Sequence, residues 1–523
     1  MVGFAAMPAA DGDAPPPSEI HRTAVDGVTV FWIDVPGPRI GVLMFGVGRA
    51  HERAATGGIS HLVEHLALAP LTQQEYNHNG FVAGNRTVLH ASGTDDELAA
   101  FFQAVTTAIG DLPLDRLGME RRILRQEARD RPPGIAGTLM WYRFGNRGYG
   151  QLAADELGLG WLGPDPVAAW ARTWFTRENA AMWFSGPPPA NLALSLPVGK
   201  PDITVPLDPI PTLRFPAHFA WNPPRVSLSY LTERSTAAVV TLDTIARRAR
   251  EILRFERGLV YDVHTDYERI DATTAHCTLS ADCAADQAKI VRDEILRAID
   301  DIARDGLTAD EIRRAGRTFH DGLRVPQSRL GYLDGTTFDQ IIGGHIETLD
   351  ELIAEYAALD GQATAAQLSG SLDTLLLCAP GETPDDGRWS SYPGWSTEVV
   401  EGRTFQTPGR RVAGVRLPAR KAEQTLTVGA DGVTWRSPEG NPLTVRYDQC
   451  VAYRHWQGDI RELWGADGFR VRILPEEWHA GAEAVRIVDA AIPPEFVVCD
   501  EHGLGAFEDP ADHAATDQDQ APG

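Results

Sequence analysis

Cysteine is sparse in this sequence and does not fall into any pattern. The 523 residues hold five: Cys277, Cys283, Cys378, Cys450 and Cys499. An odd number with no C-x-x-C pair excludes a disulfide framework and a thiolate zinc site. A metal would have to be held by histidine and carboxylate, and a reducing, cytoplasmic setting is expected. Long apolar runs are also missing. None reaches about 18 residues, so no transmembrane helix and no membrane insertion are expected. The opening MVGFAAMPAADGDAPPP has no basic stretch leading into an apolar one, so a secretory signal is not expected. Basic charge is short as well, with 48 Lys and Arg against 72 Asp and Glu and a net charge of −24. A nucleic-acid partner is thereby excluded, since it would need a basic surface to displace counterions.

The 43 % of hydrophobic residues is ordinary for a globular chain, and the length suggests about three to four domains. Residues 1–20 are rich in Pro, Ala and Asp and read as disordered. A first folded domain spans 21–205. VTVFWIDVP (28–36) and RIGVLMFGVG (39–48) read as strands on either side of a Pro-Gly turn. Helices are predicted over 57–69 with Ser60 as cap, over 98–109, and over 117–129, the last ended by a Pro pair. TRENAAMWFSG (176–186) reads as a turn entering a strand. Residues 206–224 are Pro-rich and predict a linker. A second domain, 225–400, offers the strands RVSLSYL, GLVYDVHTDY and ATTAHCTLSA. Its predicted helices cover 241–255, 286–305 and 307–323, the last with Thr308 as cap and Glu311 at the capping-box position. Residues 401–505 form a β-rich third domain, with hairpin signals near Asp431-Gly432 and Gly440-Asn441 and one closing helix over 476–492. Residues 506–523 hold five acids and no Lys or Arg, which predicts a solvated acidic tail.

The strongest chemical signal is His61-Leu62-Val63-Glu64-His65. On a helix, His61 and His65 stand four residues apart on one face, so both imidazoles can converge on one cation. Glu64 lies on the same side but offset, placed for a water on the metal rather than for the metal. This is H-x-x-E-H, the inverted zincin motif. Zinc needs a third protein ligand and an open position. The third predicted helix offers Glu120 and Glu127, two turns apart on one face. Glu127 is taken as the third ligand and Glu120 as support for a ligand or the water. The chemistry of such a set is peptide hydrolysis by a metal-activated water, with Glu64 as general base and then acid. Solvated His and Glu on a helix face could form the same pattern, but the helix is otherwise apolar, so the polar triplet needs partners.

Gly57-Gly58-Ile59-Ser60-His61-Leu62-Val63-Glu64-His65-Leu66 resembles the active-site helix of the pitrilysin/insulinase metallopeptidases, which include the mitochondrial processing peptidase. Gly48-Arg49-Ala50-His51-Glu52 resembles the family's lead-in, and Glu120 through Glu127 its E-R-x-x-x-x-x-E helix, whose last Glu is the third zinc ligand. Leu253-Arg254-Phe255-Glu256-Arg257-Gly258-Leu259-Val260-Tyr261 resembles a second-domain motif whose Arg and Tyr contact the substrate backbone. The resemblance covers roughly residues 25–380. It implies an α+β fold of two insulinase-like α/β domains, each an antiparallel sheet with packed helices, and one Zn2+ per chain. It implies substrate binding by Arg254 and Tyr261, and a dimer in which these residues of one chain face the zinc site of the other. That dimer is a homodimer, or a heterodimer with a related subunit.

The sequence departs from the family in two places. The segment joining His65 to Glu127 is shorter than usual. The substrate-binding edge strand is expected within 79–87, where Ala83 stands near the family's Asn unless Asn85 takes over; Ala83, Gly84 and Asn85 are its candidate contacts. The third domain lies outside the resemblance, and its short strands with a closing helix look like a pleckstrin-homology barrel suited to docking. The functional expectation is a zinc endopeptidase for peptides or unfolded segments, including a dedicated precursor peptide. The alternative is a catalytically impaired peptidase-like scaffold that binds peptides without cleaving them.

Overall fold

Val28, Val30 and Phe31 are buried in strand β2 (Val28–Trp32), which follows β1 (His21–Val25) as its antiparallel partner. The computed structural model describes residues 20–499 except 72–76, 131–133, 203, 221–223, 385–386, 408–410, 413–414, 417–423 and 457–458. The expected disordered start up to residue 19 and the acidic tail over 506–523 lie outside the described residues. Internal contacts divide the chain into two units: residues to Leu159 with Gly163–Gly394, and Gly160–Leu162 with the residues from Trp395 on.

The first unit is built from two sheets of matching design. One joins β1 and β2 with β3 (Arg39–Phe45), β4 (Asn77–Val82), β5 (Thr87–Gly93) and β6 (Ala180–Phe184) in the order β1-β2-β6-β3-β5-β4. The other runs β12-β7-β11-β8-β10-β9, from β7 (Ala217–Ala220), β8 (Arg225–Glu233), β9 (His264–Arg269), β10 (Thr274–Asp282), β11 (Leu376–Ala379) and β12 (Ser390–Ser391). In both, a parallel pair (β2 with β6, β7 with β11) precedes a run of antiparallel neighbours ending on an edge, β4 or β9; they differ at the other edge, where β1 is antiparallel to β2 and β12 parallel to β7. The unit is therefore an internal duplication, a feature that sequence periodicity did not reveal.

Helices cover the sheets. On the first sheet lie α1 (Ile59–Leu68) and α2 (Asp95–Gly110), followed by α3 (Leu117–Asp130), α4 (Ile135–Phe144) and α5 (Pro164–Trp174). The second repeat carries α6 (Thr236–Arg250), α7 (Ala288–Asp305), α8 (Ala309–Leu323), α9 (Pro326–Ile342), α10 (Leu349–Ala358) and α11 (Gly361–Ser369). Thr94 with Glu97 and Thr308 with Glu311 form capping boxes that satisfy the first free N–H groups of α2 and α8. Burying Ile295, Ile299 and Ile302 holds α7 on the second sheet. The repeats also exchange a helix. Leu330, Leu333 and Phe338 of α9 pack with Phe31, Val42 and Trp183 of the first sheet. Leu139 and Tyr142 of α4 pack with Ala217, Leu376 and Cys378 of the second.

Three local expectations change. The Pro-rich stretch 206–224 is not a free tether, since Ala217–Ala220 is a strand and Ile210 and Leu213 are buried. Its prolines restrict the backbone, but Phe219 and Ala220 still find parallel partners on β11. GLVYDVHTDY is strand only from His264, because Gly258 at φ +65° turns the chain and Val260 and Val263 are drawn into the core. Ser60 is not the cap of α1; Gly58 is, in the left-handed region at φ +91°, and the carboxylate of Glu52 accepts from Gly58 N and Ser60 N at 2.8 and 2.9 Å.

The second unit is described by itself. A sheet β13-β16-β17-β18 holds β13 (Gly402–Gln406), β16 (Thr425–Gly429), β17 (Gly432–Arg436) and β18 (Pro442–Arg446), and β14 (Arg411–Val412) pairs separately with β15 (Val415–Arg416). A sheet β21-β20-β19-β22 holds β19 (Cys450–His455), β20 (Arg461–Gly465), β21 (Arg470–Ile473) and β22 (Val497–Cys499). The closing helix α12 (Gly481–Ala491) buries Ala484, Val485 and Val488 in their shared core. This is the expected small β-rich domain, with a helix shorter than predicted because Pro475–Glu477 forms a separate turn of 3-10 helix.

Candidate metal centre and active site

α1 forms because Ile59, Leu62, Val63 and Leu66 make an apolar stripe that buries completely against the sheet and α2. The remaining face carries His61, Glu64 and His65. α3 lies alongside α1 and brings Glu120 and Glu127 to it. Nε2 of His65 lies 3.8 Å from a carboxylate oxygen of Glu127, and ligand atoms of His61, His65 and Glu127 all fall within 4.8 Å of one another. Glu64 sits between the histidines, 3.8 Å from Nε2 of each, with its side chain only 4 % exposed.

The outer nitrogens are occupied by carboxylates. Nδ1 of His61 lies 3.2 and 3.4 Å from the two oxygens of Glu156, and Nδ1 of His65 lies 3.3 Å from Glu120. A carboxylate only accepts, so both Nδ1 atoms carry the hydrogen and both Nε2 lone pairs face the shared point. Burial opposes a charged His61, but the hydrogen bond and charge of Glu156 outweigh it and hold the imidazole above its ordinary value. Burial and the neighbouring His61 push His65 below it. Two imidazoles and a carboxylate whose ligand atoms converge within 4.8 Å are the donor set of a zinc site.

Glu120 itself is held by Arg116 at 3.0 Å. Glu156, Arg49, Glu52 and Gly80 were not singled out as site residues. Glu52 was visible only as part of the lead-in motif. Glu156 stands in the turn after α4, where no spacing marks it. A Cβ at Gly80 would lie 2.2 Å from Oε1 of Glu64, so β4 runs directly over the general-base candidate.

The structure moves the expected edge strand. The free edge is β4, Asn77–Val82, while Ala83, Gly84 and Asn85 form the turn beyond it. Their groups are engaged there. Ala83 and Gly84 accept from Arg49 N and Ala50 N at 3.0 and 2.7 Å, and the Asn85 amide donates to the carbonyls of Arg269 and Ile270 at 2.7 and 3.1 Å. Asn85 is buried by this bridge between the two repeats.

Arg254 and Tyr261 lie on a separate, projecting loop. α6 continues as one π-helical turn, Glu251–Glu256, which turns the chain outward. The loop is anchored by Leu253 in the core, by Arg250 on Asp262, and by Arg257 on Glu294 at 2.9 Å. Its tip is open, with Tyr261 80 % and Phe255 71 % exposed. The Arg254 guanidinium stands 4.8 Å from the Tyr261 ring centroid and 5.3 Å from that of Phe255. These ring contacts pair the two clamp candidates with each other, not with the residues of the metal centre.

No protein-family model and no curated protein matches the chain. Solved structures do. A protease from Helicobacter pylori is 12 % identical with a TM-score of 0.57, over 70 % of this chain and 100 % of that one. A peptidase M16 inactive domain from Pseudomonas fluorescens is 14 % identical with a TM-score of 0.55, over 70 % and 98 %. Pitrilysin is 15 % identical with a TM-score of 0.52, over 71 % of this chain and 46 % of that chain. Over about 70 % of its length the chain has the fold of the pitrilysin-like M16 peptidases.

Proposed function

We propose that the protein is a zinc endopeptidase acting on extended peptides. One observation carries this reading: the Nε2 atoms of His61 and His65 and the Glu127 carboxylate converge while Glu64, nearly buried, stands 3.8 Å from both imidazoles. His61, His65 and Glu127 would hold a zinc ion, which would supply an acidified water and a Lewis acid for the peptide carbonyl. Glu64 accepts the proton of the attacking water and returns it to the leaving amine. Glu120 and Glu156 keep the imidazoles in the ligating tautomer. As an edge strand, β4 can align an extended peptide by strand addition over Glu64.

The clamp loop supports an assembly of two chains. Tyr261 and Phe255 are largely exposed, with the half-buried Arg254 against their rings, so the loop of one chain can meet a peptide at the metal centre of the other. A homodimer is the simplest form, since one chain carries both parts. The five cysteines are unpaired and four are buried, which supports a reducing compartment such as the cytoplasm.

A second reading has one observation in its favour: the fold is shared with an inactive M16 domain. Zinc content and cleavage of a mixed peptide library, measured for the wild type and Glu64→Gln, separate the two. One zinc per chain in both, with cleavage in the wild type alone, supports the enzyme. Zinc-loaded wild type that cuts nothing supports a scaffold.

A further inference from the structure

We infer that Glu156, held by Arg49, is the positioning residue of His61, and that this pair ties the first metal ligand to the turn at the end of the substrate edge. The inference rests on the metal centre proposed above. Each histidine is backed by a carboxylate that is in turn backed by an arginine. For His65 the chain is Glu120 and Arg116, both on or beside the ligand-bearing helix α3. For His61 it is Glu156 and Arg49, from two loops remote in sequence.

The local structure is built for this approach. Gly58 has φ +91°, and a Cβ there would lie 2.9 Å from Cβ of Glu156. The absence of side chains at Gly57 and Gly58 lets the turn around Glu156 lie on the start of α1, where Gly158 N donates to Gly57 O at 2.9 Å. The Glu156 side chain is only 10 % exposed, and its charge is met by Arg49 at 3.7 Å. Arg49 is itself fixed, donating to Ala154 O at 2.5 Å from its side chain and to Ala83 O at 3.0 Å from its backbone. Ala83 begins the turn that closes β4. A Cβ at Gly48 would lie 2.3 Å from Ala83 O, so the Arg49 loop and this turn are packed without slack. A carboxylate on Nδ1–H fixes the ring plane and raises the donor strength of Nε2.

The test uses the full-length protein and direct zinc binding, measured by competition with a chromogenic chelator. Glu156→Ala should weaken zinc roughly 10–100-fold, and Glu156→Gln by less, since the amide still accepts from Nδ1–H but brings no charge. Arg49→Met should weaken zinc by less than Glu156→Ala. It should add little when combined with it, because the arginine acts through the glutamate. In the cobalt-substituted protein, Glu156→Ala should shift the visible d–d bands, while the thermal midpoint of the metal-free form stays near that of the wild type. Should Glu156→Ala fail to fold, the size-preserving Glu156→Gln carries the same comparison. Zinc affinity within about twofold of wild type, with an unshifted cobalt spectrum, overturns the positioning role. Full additivity of Arg49→Met with Glu156→Ala overturns the part given to Arg49. Wild-type protein that takes up no zinc overturns the metal centre itself, and this inference with it.

Discussion

A methyl group at position 80 would meet the Glu64 carboxylate at 2.2 Å, and the Leu89 side chain leaves no room on its other flank. Gly80 therefore sets how closely the peptide edge can approach the general base. Displacing a catalytic group by about 1 Å can cost on the order of 100-fold in rate. Gly80→Ala is expected to keep one zinc per chain and lose activity by about that factor, read as kcat/KM alongside metal content. Loss of zinc together with activity would mean that β4 supports α1 rather than aligning Glu64. His61, Glu64 and His65 were legible as candidates at this scale because helical spacing puts them on adjoining faces of α1, and Glu127 because it repeats two turns from Glu120 on α3. Gly80, Glu156 and the turn over 83–85 were not. Their roles depend on which strand lies over which helix, and no local pattern states that.

At the scale of elements, β9 carries a second testable feature. Burial, then the charge of Asp266, push the Glu268 carboxyl from its ordinary 4.5 up to about 7, with Arg86 partly opposing. The folded state thus holds this proton more tightly than the unfolded chain. The stabilisation is fully present below about pH 4.5 and is lost as the pH rises through about 7. Glu268→Gln is expected to flatten that part of the pH–stability curve and to raise the thermal midpoint at pH 8 relative to wild type. A wild-type curve that rises between pH 5 and 8 in parallel with the variant would refute it. The capping box of α8 was readable because Thr and Glu three residues apart satisfy local N–H groups, and the same spacing at Thr94 and Glu97 starts α2 three residues before the predicted helix. The cap of α1 was misplaced because Glu52 reaches it from a neighbouring turn. The Pro-rich stretch was misread for a similar reason: β7 exists only because β11, far along the chain, offers it a parallel edge.

At the scale of the molecule, the exchange of α4 and α9 decides that the two repeats form one unit. Arg143 of α4 shows how firmly: it is 1 % exposed and donates to Thr374 O at 2.8 Å and to Ser229 Oγ at 3.2 Å, deep in the second repeat. The proposed pairing of two chains through the exposed loop carrying Tyr261 is tested by complementation. Mixing Glu64→Gln protein with Arg254→Ala protein is expected to restore activity that neither has alone. Random pairing of a twofold dimer yields mixed dimers with one intact site, which limits recovery to about a quarter of the wild-type level. No recovery after subunit exchange, confirmed by the formation of mixed dimers, would place clamp and metal in the same chain.

The sequence by itself determined most of the elements and a candidate ligand set. Helical and strand periodicity, capping pairs and the H-x-x-E-H spacing are local properties, each written within a few turns of chain. They put the two histidines and the general base on one helix and two glutamates on another. Only the tertiary structure decided what faces that helix. Glu156 reaches His61, Gly80 passes over Glu64, Glu52 caps α1, and Asn85 is spent on joining the repeats. Each of these is a contact between segments that meet only when the sheet closes and the helices bury their apolar faces, and burial follows the whole core rather than any one stretch of residues.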